Sequence, residues 1–77
     1  MNATRANIVV DVREELSGQS GDALVNVLRG VQGVSRAWVS RRVRRLVLVD
    51  FDPKRTDTRT VLDSVVRRGF DARLIGM

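Results

Sequence analysis

Three sets of side chains in this 77-residue chain have types and spacings that could do chemistry. Glu14, Glu15 and Asp22 bracket Ser17 and Ser20, and carboxylate plus hydroxyl oxygen is a donor set that suits Mg²⁺ or Ca²⁺. The preferred expectation is simpler. The glutamates are solvated loop charges, and Asp22 sits in the first turn of a helix, where an acidic side chain is favourable. The second set is arginine. Thirteen of the 14 basic residues are Arg, against nine acidic ones, for a formal charge of +5, which draws anionic partners electrostatically. Arg41, Arg42, Arg44 and Arg45 form one run, and Arg67 and Arg68 another. Guanidinium forks bind phosphate or carboxylate bidentately. With Ser17 as a cap and the amides of residues 18–21 as donors, Ser17, Arg41, Arg42, Arg44, Arg45, Arg67 and Arg68 make a candidate site for an anion or an acidic protein surface. The competing account is a solvated charge run that keeps a sheet edge from pairing with other chains.

Cysteine and histidine are both absent. That excludes disulfide staples, zinc fingers, thiolate or imidazole nucleophiles and the usual soft metal sites. The sequence contains no nucleophile beside a base and no glycine-rich nucleotide loop, so no enzyme, no catalytic residue and no cofactor are expected.

The elements that must position these residues follow from periodicity. Ile8, Val10 and Val12 alternate with Val9, Asp11 and Arg13, a strand with one buried face. Leu24, Val27, Leu28 and Val31 recur at helical spacing after the N-cap Ser17. Gly30 and Gly33 frame that helix's exit, where positive φ is expected. A second strand spans 34–40, a hairpin 41–44 and a third strand 45–51, closed by Asp52-Pro53. Asp57 or Thr58 caps a second helix with the stripe Val61, Leu62, Val65 and Val66, stopped by Gly69. Residues 70–75 form a last strand. Short connections and right-handed crossovers then give an α+β, ferredoxin-like βαββαβ two-layer sandwich, with an antiparallel sheet in the order 4-1-3-2. One domain over 8–77 is expected, after a flexible N-terminal segment at 1–7.

This arrangement yields the third set. If Ala37, Val39, Val47, Val49 and Phe51 face the helices, then Val9, Trp38, Leu46, Leu48 and Ile75 face away. A contiguous apolar patch suggests a protein contact, through a partner or a homodimer. The alternative is scattered apolar residues screened by the stems of Arg13, Arg36 and Arg73. Nucleic acid is disfavoured, because the central strands carry Leu46 and Leu48 where an RNA-binding sheet needs stacking aromatics.

Leu28 with Val31-Gln32-Gly33-Val34, then Ala37 and Val39, then Val49-Asp50-Phe51-Asp52-Pro53, and finally Arg68-Gly69-Phe70 with Ala72 and Leu74, occur in an order and spacing that resemble the heavy-metal-associated domain. That family comprises copper chaperones, mercury scavengers and the N-terminal modules of metal-pumping P-type ATPases. The resemblance covers roughly residues 8–75. It implies the same ferredoxin-like fold, and it places the family's Cys-x-x-Cys loop at Ser17 and Ser20. The glycine, methionine, threonine and both cysteines of that loop are replaced here. A serine hydroxyl is neutral and a poor ligand for Cu(I), whereas thiolate is soft and anionic, so no metal is expected at the loop. The implied role is a degenerate member acting as a binding module. Metal transport as in the family and a basic anion-binding module are the alternatives. No apolar run reaches the roughly 18 residues that span a bilayer, and a cytoplasmic protein is expected.

Overall fold

The β-branched run at the start of the chain becomes β1, Ala6–Val12, in a computed structural model that describes residues 5–75. Its even-numbered side chains Ile8, Val10 and Val12 are buried, as a period of two requires. The helix α1 (Gly18–Arg29) follows, then β2 (Val34–Val39), β3 (Leu46–Phe51), α2 (Thr58–Arg67) and β4 (Ala72–Ile75). The strands form one sheet in the order β2-β3-β1-β4, with every neighbouring pair antiparallel. Read from the other edge, this is the expected 4-1-3-2. The segment 1–4 lies outside the described residues, and with it most of the stretch expected to be flexible. Ala6 and Asn7 pair with Phe51 and Asp50 in the sheet, so the strand starts before Ile8.

Both helices cover one sheet face, α1 against β2 and α2 against β4, and they touch each other. The core between the layers holds Val10, Val47 and Val49 from the sheet with Leu24, Leu28, Val61 and Val65 from the helices, all fully buried. Four stripe residues stand outside this core, Val27, Val31, Leu62 and Val66, while Val25 packs against it. The first helix ends at Arg29, capped by Gly30, so Val31 lies in the following turn. Val66 is 48% exposed, because the short second helix meets the sheet along Val61 and Val65. Gly30 has φ −79°, an ordinary helical value. Positive φ occurs at Gly33 (+98°) and Gly69 (+97°), which turn the chain into β2 and toward β4.

Candidate functional site

Ser17 has extended backbone and caps α1. Its Oγ accepts from the Ser20 N–H at 3.0 Å, the Ser20 Oγ accepts from the Ser17 N–H at 2.8 Å, and the two oxygens stand 2.9 Å apart. This reciprocal capping box satisfies two donors that a helix start otherwise leaves without partners. Both hydroxyls are thereby occupied by local structure. The Gly21 N–H bonds the Ser17 carbonyl at 2.8 Å as the first helical turn, which leaves only Gly18 and Gln19 as outward donors. Because the helix begins at Gly18, Asp22 is its fifth residue, and the first turn contains no acidic side chain. Asp22 therefore lies a turn further from the positive end of the helix dipole than the sequence suggested.

The loop is held by the hairpin between β2 and β3. Leu16 donates its N–H to the Arg44 carbonyl at 2.9 Å, and the Arg44 Nε donates back to the Leu16 carbonyl at 3.2 Å. Leu16 is a core residue, 5% exposed. Its lone apolar side chain before the cap was the signal for that role. Gly21 is buried beside it, where an added Cβ would meet Val39 Cγ2 at 3.3 Å. Arg44 is thus at the Ser17–Ser20 loop as the topology predicts. Arg41 and Arg42 stand exposed on the hairpin turn, where the Ser40 Oγ accepts from the N–H groups of Arg42 and Val43. Arg67 and Arg68 are exposed at the end of α2. The loop after that helix does reach the first one. Yet the cleft of about 210 Å³ between them, beside Ser20, is walled by Glu14, Glu15 and Asp71 with Arg13 as its one basic residue. Among the described residues, no group of three or more acidic side chains is arranged to hold a metal ion.

Arg45 turns away from the loop to the outer sheet face. There its Nη2 lies 3.5 Å from Asp11 Oδ1, while the Arg73 Nε donates to Asp11 Oδ2 at 3.4 Å. Asp11 and Arg73 are direct cross-strand partners. Asp11 is the buried charge of the described residues, 6% exposed on a face that no helix covers, because the two arginine side chains lie over it. Alternation showed that Asp11 faces outward. Its burial depended on strand register, which brings residues 45 and 73 to it from either side.

Apolar residues of the outer face form a row. Trp38 pairs with Leu48, Leu48 with Val9, and Val9 with Ile75, one residue from each of the four strands. Leu46 lies beside this row as a cross-strand partner of Asp11. Trp38, Leu46, Leu48 and Val9 are half-buried, and Ile75 is 40% exposed. The Arg36 guanidinium covers the indole, 4.4 Å from the ring centroid, a cation–π contact. The five apolar residues expected on this face are therefore brought together, with the Arg36 guanidinium over one of them, Trp38.

No family model and no curated protein matches the sequence. Solved structures do. Oxidized MerP from Ralstonia metallidurans CH34 is 16% identical with a TM-score of 0.84, covering 95% of this chain and 100% of that one. A copper binding domain from a P-type ATPase is 23% identical with a TM-score of 0.83, covering 95% and 96%. The N-terminal domain of a potential copper-translocating P-type ATPase from Bacillus subtilis, solved in its Cu(I)-loaded state, is 19% identical with a TM-score of 0.82, covering 95% and 90%. Identities this low speak for backbone architecture. No helix among the described residues is long and apolar enough to cross a membrane. This chain has the ferredoxin-like fold of the heavy-metal-associated domains.

Proposed function

We propose that this chain is a degenerate heavy-metal-associated domain, a small, non-catalytic, cytoplasmic module that binds protein through the outer face of its sheet. One observation carries the reading: the row Trp38, Leu48, Val9 and Ile75 runs unbroken across all four strands on the face without helices. Contiguous apolar surface on an uncovered sheet face is the mark of a contact surface. The loop chemistry supports the same reading. Two neutral hydroxyls, each already bonded within the capping box, do not fit a soft cation such as Cu(I), for which thiolate is the matched ligand.

The test is native mass spectrometry of the protein and of Leu48→Glu, titrated with Cu(I), Zn(II) and Mg(II). The expected outcome is no stoichiometric metal, with a dimer or a complex with a co-expressed partner that Leu48→Glu weakens by about 2 kcal/mol, roughly thirtyfold. Tight binding of one metal ion by the unmodified protein would overturn the reading. The likeness of fold to copper-binding domains favours one second reading, a metal role in which a partner supplies the cysteines to a shared site. Its signature is Cu(I) affinity that appears only with a cysteine-bearing partner.

A further inference from the structure

The outer face has a charged corner where β1 meets β4. Asp11, Arg13, Arg45, Asp71 and Arg73 line a cavity of about 280 Å³ there. Asp11 lies two residues from Val9 on one strand, and Arg73 two from Ile75 on the next, so the cavity borders the apolar row at about 7 Å. We infer that this cavity seats a single carboxylate side chain of a protein partner, next to an apolar partner residue lying on the row. The inference rests on the proposed sheet-face interface and names the chemistry of what docks there.

Donor supply is the first argument. Arg13, Arg45 and Arg73 each make one long ion pair, at 3.4, 3.5 and 3.4 Å, out of five N–H donors apiece. Preorganisation is the second. The Asp11 side chain, 7% exposed, draws Arg45 and Arg73 to one place, and their own side chains stay 46% and 79% exposed, so both guanidiniums are gathered there with donors still facing solvent. Charge decides between ligands. Three guanidiniums against two carboxylates leave a surplus of one positive charge, which matches a monoanionic Asp or Glu better than a dianionic phosphate. A second copy of this chain would bring the same guanidinium surplus to the contact, so like charges would meet.

The experiment follows the arginine Nε–Hε and backbone amide signals of the ¹⁵N-labelled protein during titration with sodium acetate. Sodium chloride at matched ionic strength and inorganic phosphate are the comparators. Acetate is expected to give saturable shifts at Arg13, Arg45 and Arg73 that chloride does not. Arg73→Gln, at an exposed edge position, weakens acetate binding about tenfold, the value of one charge-assisted hydrogen bond. Asp71→Asn, which releases Arg13, tightens it. Shifts reproduced by chloride, indifference to Arg73→Gln, or saturation by phosphate below the acetate concentration would each overturn the inference. Any of those results leaves the sheet-face reading intact, because that reading falls only with the Leu48→Glu and metal measurements.

Discussion

Ser17 and Ser20 together close the N-terminal cap of α1. Their oxygens are 2.9 Å apart and close a capping box, so two cysteines at these positions would bring two sulfurs to one place. The double variant Ser17→Cys/Ser20→Cys is expected to compete for Cu(I) against a chromophoric chelator where the parent protein does not. Ser17→Ala, which removes the cap acceptor, should cost about 1 kcal/mol, or a fall in thermal midpoint of roughly 4–8 °C. Asp57 plays the same capping part for α2. Its carboxylate is held below the ordinary range first by the Thr60 N–H, then by the Thr60 hydroxyl, with the nearby Arg59 charge assisting. A depressed pKa means stability that is present above the ordinary carboxylate range and is lost as pH falls through the lowered value. Asp57→Ala should therefore lower the thermal midpoint at neutral pH, and the gap from the parent should close in acid. Asp57→Asn keeps an acceptor at the cap and removes that pH dependence.

At the scale of elements, two glycines do similar conformational work in different surroundings. Gly33 (φ +98°) leads into β2, and its carbonyl accepts from Asp52 N–H at 2.8 Å, joining that strand's start to the end of β3. A Cβ there would lie 2.9 Å from Arg55 Cβ and 3.0 Å from Thr56 Cγ2. At Gly69 (φ +97°) a Cβ meets nothing within 4 Å. Gly69→Ala should cost only the left-handed backbone penalty, about 1–2 kcal/mol. Gly33→Ala should cost that plus about 1–3 kcal/mol of crowding. Urea denaturation with an unchanged slope distinguishes the two. Loop adjacency has an element-level origin as well. The hairpin touches the Ser17–Ser20 loop through Arg44, at main chain and side chain, while Arg45, one residue on and still in the turn before β3, extends its guanidinium to Asp11 on the outer sheet face.

For the whole molecule, one thin core carries both layers. Leu28 is fully buried between α1 and the sheet, and Leu28→Ala should cost about 2–5 kcal/mol. A domain this small holds few kcal/mol in reserve, so that variant should be largely unfolded by near-ultraviolet circular dichroism of Trp38. Leu48→Glu on the outer face should leave the same signal native-like and change only association, because its side chain contributes to the face without helices. The contrast between these two leucines tests whether the sheet has one structural face and one recognition face.

Local sequence pattern was sufficient for the element order, the Ser17 cap, the antiparallel sheet and the sorting of Val47, Val49 and Phe51 from Trp38 and Leu48, while it left the second cap open between Asp57 and Thr58. Each of these depends on local spacing and on which side of a strand or helix is apolar. The absence of cysteine settled the donor chemistry at Ser17 and Ser20 without coordinates. Strand register and side-chain reach are non-local, and only the tertiary structure decided what they control. It aligned Trp38, Leu48, Val9 and Ile75 into one row. It folded Arg45 and Arg73 over Asp11, making a buried charge of a residue that alternation left at the surface. It also placed Glu14, Glu15 and Asp71 beside Ser20, where the arginine runs alone had suggested a basic pocket, because the conformation of two loops, each set by contacts distant in sequence, determines which charges meet.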